Sequence, residues 1–492
     1  MPIEACSRVL CLTRQLQYTR PWNISHFPQV QNLFRWLAIS TAEPWLTYTA
    51  WKKTYGDLLH VRLLGQSFVI LDSEKTARAL LDQHSALYLD CPASMVHLNS
   101  LFSMGFSTVM LPYGDGWRLH RELFQHAFRA ESEARNREAY LRRARTLLAN
   151  LLDVPEDFEA HIRRVMTLVD LHVTDLSPVR GAILHAFPFL VKSPIWLPGA
   201  ALWRDAVYAK KLAAQVLDVP FDWVKDHMVQ PAAPPSLVAD CLAELDYNDD
   251  HHDKQEHAIK STAATVFPDS RRYSSSTLHA FILAMVLCPE VQAKAQAELD
   301  SVIGSGRLPQ FDDRASLPYV DAFLHELVRW NPLVPLGVPH ATSSDDMYGD
   351  EDYDIPKGTV VLINVWPERF LSEEGTLKDG PPISANPIFG LGRHICVYPF
   401  VPIHWYCTDV PPGPGRFASE AFVWAAAVSI LATFRITKMR MGGGREVKVK
   451  RQFTTGFVLR PVQFPCMFIR RSDERVEAVR DSVTARDFVS SP

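Results

Sequence analysis

Phe389-Gly390-Leu391-Gly392-Arg393-His394-Ile395-Cys396 approaches one cysteine through two glycines, and Pro414-Gly415-Arg416-Phe417-Ala418 follows seventeen residues later. Glycine has no Cβ, so Gly390 and Gly392 let the backbone turn sharply and pass close to a neighbouring group. Pro414 suits the first position of a helix, where its missing N–H costs no hydrogen bond. A helix start, with its free N–H groups and positive pole, favours a thiolate beside it and lowers the thiol pKa. Taken alone, the stretch is either a glycine turn beside a buried cysteine or a loop presenting a thiolate to a ligand.

Its companions decide between the two. Glu326 and Arg329 stand three apart in LPYVDAFLHELVRWNP (317–332) and share one helix face. Val320, Phe323, Leu324, Leu327 and Val328 supply the apolar side, and Pro332 ends the run. By itself such a pair is a solvated helix pair. Here Pro367-Glu368-Arg369-Phe370 follows, and then the cysteine loop. Upstream, Trp117 and Arg121 lie one helical turn apart in YGDGWRLHRELF. His340 stands in PLGVPHAT, where an isolated histidine is usually a satisfied polar group.

W-x-x-x-R, E-x-x-R, P-E-R-F and F-G-x-G-x-x-x-C, in that order, resemble the cytochrome P-450 family of haem-thiolate monooxygenases. The likeness runs from about residue 44 to 472. It is strongest to fungal microsomal members of the O-methylsterigmatocystin oxidoreductase type, through WLTYTAWKKTYGDLLHVRLLGQ, AFILAMVLCPEVQAKAQAELD and IPKGTVVL. The resemblance implies a mostly α fold with a small β part, the cytochrome P-450 haem-domain fold. One domain over 44–472 is expected, with an atypical segment over 1–43 and a C-terminal tail over 473–492.

The implied cofactor is haem b, with Cys396 as the axial iron ligand, whose thiolate donates electron density to the iron. The resemblance assigns Trp117, Arg121, His340 and His394 to the cofactor's propionates, Arg393 to cofactor binding and Phe389 to the thiolate side. Glu326, Arg329 and Arg369 become a structural lock. The implied partners are dioxygen, an NADPH-cytochrome reductase and a lipophilic small molecule of secondary metabolism. The implied location is the cytoplasmic face of the endoplasmic reticulum membrane. An inactive haem-binding relic and a haem-thiolate isomerase or dehydratase remain alternatives.

Composition narrows the setting. With 492 residues, 47% of them hydrophobic, the chain can bury a large core. A net charge of −4 gives no electrostatic case for nucleic acid. The eight cysteines show neither paired zinc spacing nor a small disulfide framework. Residues 1–40 contain no run of about 18 apolar residues, because Glu4, Arg8, Arg14, Arg20 and Asn23 interrupt it. The family's membrane anchor is therefore expected to be absent, and the segment is a poor signal peptide. DYNDDHHDKQEH (246–257) is a solvated loop in this reading rather than a histidine metal site.

Locally, HVRLLG and QSFVILD meet at Gly65-Gln66 as a hairpin. SEKTARALLDQHSALY is a helix capped by Ser73. DFEAHIRRVMTLVDL and WRDAVYAKKLAAQVLDVPFDWVKDHM are helices, separated by the turn-prone PIWLPGA. TVVLINVW is a strand after the Pro356-Lys357-Gly358 turn. RFASEAFVWAAAVSILATF is a long buried helix, REVKVKRQ and FTTGFVLRP are late strands, and residues 454–459 match a segment overhanging the family's substrate pocket.

Four departures stand out. Residues 397–413 separate Cys396 from its helix, and their length and bounding codons fit a short retained intron. INVW runs directly into PERF, without the meander that the family places there. A similar shortening lies between Leu168 and Phe187. In the distal helix, Arg272 and Tyr273 fall where the family keeps an acid and a threonine that relay protons, and arginine stays charged at neutral pH. Pro268 is expected to break that helix just before. Tyr273 and Ser274 are the catalytic candidates left there, and the run from Ser274 to Thr277 reads as a loop.

Overall fold

The computed structural model describes residues 43–63, 65–127, 130–159, 186, 201–228, 236–349, 353–364, 415–441, 444–454 and 458–484. Pro44 opens helix α1 (Pro44–Tyr55), and Gly56, at φ +89°, ends it. Strands β1 (Leu58–Leu63) and β2 (Gln66–Leu71) then pair antiparallel, from Leu58↔Leu71 to Leu63↔Gln66. Gly65, at φ +85°, makes the tight turn that a Cβ would strain, as expected from the sequence. Four short strands come much later: β3 (His340–Ala341), β4 (Asp346–Tyr348), β5 (Tyr353–Ile355) and β6 (Val360–Ile363). β6 inserts parallel to β2 and antiparallel to β3, giving the order β1-β2-β6-β3, while β4 and β5 form their own ribbon. Both faces of β2 and β6 are largely covered, so they read as near-continuous apolar runs.

The helical part follows α2 (Glu74–Arg78) and α3 (Ala93–Phe102). It comprises α4 (Asp115–Ala127), α5 (Ala130–Asp153), α6 (Ala201–His227), α7 (Leu237–Ala243), α8 (His252–Leu287), α9 (Pro289–Ile303) and α10 (Pro318–Trp330). Last come α11 (Gly415–Thr433), strands β7 (Phe434–Lys438) and β8 (Cys466–Arg470), and α12 (Asp473–Thr484). A helix apolar all round its circumference belongs at the centre of a large core. α11 is such a helix: every residue from 423 to 431 is at most 2% exposed, Trp424 included. It packs against α5, α8 and α9.

Two buried glutamines on α9 finish that core. Gln292 donates from Nε2 to Ile436 O (2.8 Å) and accepts at Oε1 from Ile436 N (2.7 Å), so its amide acts as an extra strand beside β7. Gln296 Nε2 donates to Phe434 O (2.8 Å) and Leu431 O (3.0 Å). Beyond residue 472, α12 packs on α5, and Arg475 Nη2 reaches Asp300 (2.6 Å) and Gly304 O (2.7 Å).

Several local expectations are corrected. α8 is continuous from His252 to Leu287 and carries Pro268 within it. An interior proline costs about 3 kcal/mol, but a largely buried stretch before it, from Ala258 to Thr265, and a buried one after it, from Ser274 to Val286, hold the helix together. Ser274, Ser275, Ser276 and Thr277 are therefore buried helical residues rather than a loop. In the 246–257 stretch the turn ends early, because Asp246 and Asp249 accept from the N–H groups of Asn248 and His251 and α8 begins at His252. The helix after Ser73 runs only to Arg78 before a π-helical turn over Ala79–Gln83, and Ser73 makes no side-chain cap. The chain departs there because Asp346 draws in His84 Nδ1 (2.9 Å) and Tyr88 OH (2.8 Å). The two late strands are reduced to isolated bridges, Arg440↔Glu446 and Phe453↔Pro461; β7 and β8 take the pairing instead.

Candidate functional site

Trp117, His120, Arg121 and Phe124 recur at the 3.6-residue period along one face of α4, and the last three are buried. Arg121 is 7% exposed, and its guanidinium carbon sits 5.5 Å from the centroid of the Trp117 ring, within cation–π range. Tyr113 extends the aromatic wall, with its ring 5.4 Å from that of Trp117. The spacing expected from W-x-x-x-R thus brings its two side chains together. His340 lies on β3, opposite Val361 of β6, and is 3% exposed. Its Nδ1 is 3.1 Å from Tyr88 O. A carbonyl only accepts, so the proton of that bond belongs to Nδ1.

The buried Arg121 guanidinium is donor chemistry suited to a group bearing carboxylates, whereas the neutral His340 ring, with its proton on Nδ1, presents an acceptor at Nε2 and donates there only as the imidazolium. Arg121 therefore suits the propionate edge of a haem, and His340 suits it only as the imidazolium. Ser274 is buried on α8, and only the backbone of Tyr273 is described. Phe389, Arg393, His394, Cys396, Arg369 and the run 397–413 lie outside the described residues, as do the side chains of Arg272, Tyr273 and Arg329. Glu326 is on α10 as expected. Among the described residues no group of three or more His, Cys, Asp and Glu is placed to hold a metal ion.

An apolar cluster joins the chain between α3 and α4 to α6 and α8. Met95, Met104 and Met110 meet Ala209 and Ala264, with Val458 packed against them. Small alanines leave room between the helices, and flexible methionines fill irregular gaps. Leu459 N donates to Leu333 O (2.8 Å), which anchors the segment following Val458.

A polar knot beside this cluster escaped sequence reasoning. In the 3-10 turn Thr108–Met110, Thr108 Oγ1 is 2.8 Å from His120 Nδ1, and Thr108 N donates to Thr265 Oγ1 (3.2 Å). Thr265 Oγ1 in turn donates to Ser261 O (2.9 Å). One threonine thus ties the turn to both α4 and α8. Burial, with a smaller repulsion from His257, pushes the His120 pKa down to about 4, so the ring is neutral at physiological pH. The helical period of α4 could have flagged His120, which shares the Trp117–Arg121 face; nothing local marks Thr108.

A sequence model of the cytochrome P-450 family matches residues 169–397. The cytochrome P-450 monooxygenase ple1 of Rhodocybe pseudopiperita is 32% identical over 477 residues, covering 89% of this chain and 87% of that protein. The chain belongs to the cytochrome P-450 family. A second fungal cytochrome P-450 monooxygenase, COX2 of Coprinopsis cinerea, is 32% identical over 498 residues, covering 93% of this chain and 89% of its own. The tryptamine 4-monooxygenase of Psilocybe cyanescens is 30% identical over 495 residues, covering 92% of each. A solved zebrafish cytochrome P-450, bound to abiraterone, superposes with a TM-score of 0.64 at 21% identity, covering 87% of this chain and all of that one. That likeness confirms the mostly α cytochrome P-450 fold. The match to the P-450 family model stops one residue past Cys396, where the run 397–413 begins. No single described helix of this cytochrome P-450 is long and apolar enough to cross a membrane; the bent pair Ser274–Leu287 and Pro289–Ile303 passes only when taken together.

Proposed function

We propose that this cytochrome P-450 is a haem-thiolate monooxygenase of a lipophilic small molecule in secondary metabolism, built as one haem domain over residues 44–472. Arg121 carries the reading: a guanidinium 7% exposed, laid on the ring of Trp117 one turn earlier, in a member of this family. Haem bound through Cys396 supplies the activation of dioxygen, with electrons from an NADPH-cytochrome reductase. Arg121, Trp117, His394 and, as its imidazolium, His340 would hold the propionates, Arg393 would contact the cofactor, and Phe389 would cover the thiolate. Glu326, Arg329 and Arg369 lock the supporting elements. The apolar cluster around Met104 and Ala264 excludes water and favours an apolar substrate. Tyr273 and Ser274 are the hydroxyls nearest the relay positions in sequence. On this reading the enzyme works at the cytoplasmic face of the endoplasmic reticulum membrane.

The test is reconstitution with haem, a ferrous–carbonyl spectrum, and turnover of apolar compounds with reductase, NADPH and dioxygen. A thiolate-type spectrum with product that depends on both NADPH and dioxygen is expected; a chain that takes up no haem refutes the proposal. One observation favours a second reading, isomerisation or dehydration at the same haem: Arg272 and Tyr273 replace the acid and threonine that deliver protons. Product formed without NADPH and dioxygen would establish it.

A further inference from the structure

The outward side of α6 carries a pattern that the fold itself does not use. Inward, Ala206, Ala209 and Ala213 pack towards α3 and α8, and Phe221 packs against α7 and α8. Asp218 and Lys225 are tied to α8 by Lys260 (2.7 Å) and Glu256 (2.6 Å). Outward, Arg204, Tyr208 and Lys211 precede Gln215, while Val219, Asp222 and Asp226 follow it, and all are exposed. At 3.6 residues per turn these positions lie within about 40° of one line along the helix, over about 33 Å. Tyr208 is 50% exposed and Val219 63%, so the stripe offers apolar surface to solvent as well as charge.

The charges of the stripe change sign about Gln215. Arg204 and Asp226 stand eleven residues either side of it, Tyr208 and Asp222 seven, and Lys211 and Val219 four. We propose that this face pairs with a second copy of the chain: two α6 helices lie antiparallel, related by a two-fold axis beside Gln215. That rotation sets Arg204 against Asp226 at each end, lets the Tyr208 hydroxyl donate to Asp222, and lays the Lys211 stem along Val219. The contact is isologous, so every pairing occurs twice. Alone, the pattern gives α6 nothing. A cation near the helix start and carboxylates near its end oppose the helix dipole. Among the described residues no ion pair engages Arg204, Lys211, Asp222 or Asp226. An antiparallel partner turns that opposition into attraction. One helix face about 33 Å long buries less than a standard interface of about 800 Å² per partner. The dimer is therefore reversible, with a dissociation constant in the micromolar range or weaker. It does not depend on haem.

Sedimentation equilibrium of the full chain across the micromolar range should show monomer and dimer exchanging. Arg204→Asp alone, or Asp226→Arg alone, puts like charges together at both ends and should weaken association by about tenfold or more, since each change acts twice. An equal mixture of the two variants should regain the parent's association, because each mixed pair again sets an acid against a base at both ends. Gln215→Cys should form a disulfide-linked dimer through that position, identified by peptide mass. Lys210→Cys, exposed on the same helix but off the stripe, should not. A mixture that associates no better than either variant alone overturns the proposal, as does equal cross-linking at the two introduced cysteines. So does a parent that stays monomeric throughout; if that monomer floats with phosphatidylserine vesicles and loses them on Arg204→Asp, the stripe belongs to a membrane surface instead.

Discussion

His120 makes the stability of this protein acid-sensitive, and the size of the effect follows from its burial. Its pKa falls to about 4 in the folded chain, chiefly from burial, against about 6.5 for a free histidine. Between those values the unfolded chain binds a proton that the folded chain refuses, so stability is greatest above about pH 6.5 and falls on acidification. From about pH 7.5 down to 5 the loss from His120 alone is ~2 kcal/mol, approaching ~3 kcal/mol below pH 4. His60, also pushed down to about 4 by burial and by Arg62, contributes a second share of similar size. His120→Leu changes stability at every pH, because it removes the Thr108 bond; the slope with pH is the diagnostic quantity. Thr108 keeps Thr265 as a partner in that variant, at 3.4 Å. Urea unfolding followed by tryptophan fluorescence at about pH 7.5, 6 and 5 should show the parent losing stability steeply, and the variant losing ~2 kcal/mol less across the range. Parallel curves for the two proteins would refute the reasoning.

Gln292→Leu should cost about 2–5 kcal/mol, because it strips a donor and an acceptor from the buried backbone of Ile436; a loss below about 1 kcal/mol in urea unfolding would contradict the surrogate-strand account. Cys396→Ser should abolish the thiolate form of the ferrous–carbonyl spectrum while Cys407→Ser keeps it, and the reverse outcome would move the ligand into the run 397–413. Excising residues 397–413 should raise haem per chain and the melting temperature, with about 0.3–2 kcal/mol from the helix pole alone; equal values in both chains would count against the retained-intron reading. In that shortened chain, Arg272→Asp with Tyr273→Thr should increase product per NADPH consumed, since positioned proton transfer is worth about a hundredfold to ten-thousandfold. No gain would assign the protons to another group, with Ser274 the first to substitute.

What could be read in advance was local. The hairpin at Gly65 and the Trp117–Arg121 pair each depend on residues a few positions apart, and periodicity or turn chemistry exposes both. The buried α11 announced itself by an unbroken apolar composition. Pro268 misled because local propensity opposes a helix there, while packing on both sides of it in α8 wins. Val447, Lys448, Val449 and Lys450 alternate like a strand, yet the segment makes only a short local pairing, the Arg440↔Glu446 bridge with Val447 N donating to Met439 O, while β7 pairs with β8. The polar knot was invisible because Thr108 and Thr265 stand 157 positions apart, and Arg314 meets Glu420 across 106. No single-sequence pattern couples such distant residues. The family motifs point to a site only through their order, since no one of them is specific alone.

The parallel pairing of β2 with β6 has a consequence for how the chain is made. Gln66 and Gly358, joined by a 2.6 Å hydrogen bond, are 292 residues apart, and the whole register from Phe68↔Val360 onward shares that separation. At about 5–20 residues per second on the ribosome, β2 waits roughly 15–60 seconds after its own synthesis before the strand that completes it exists. Through that interval the hairpin presents an apolar, unpaired edge, the kind of surface that pairs with other nascent chains. Slower translation downstream of β2 should therefore lower the soluble yield, and a chaperone that shields extended apolar edges should restore it.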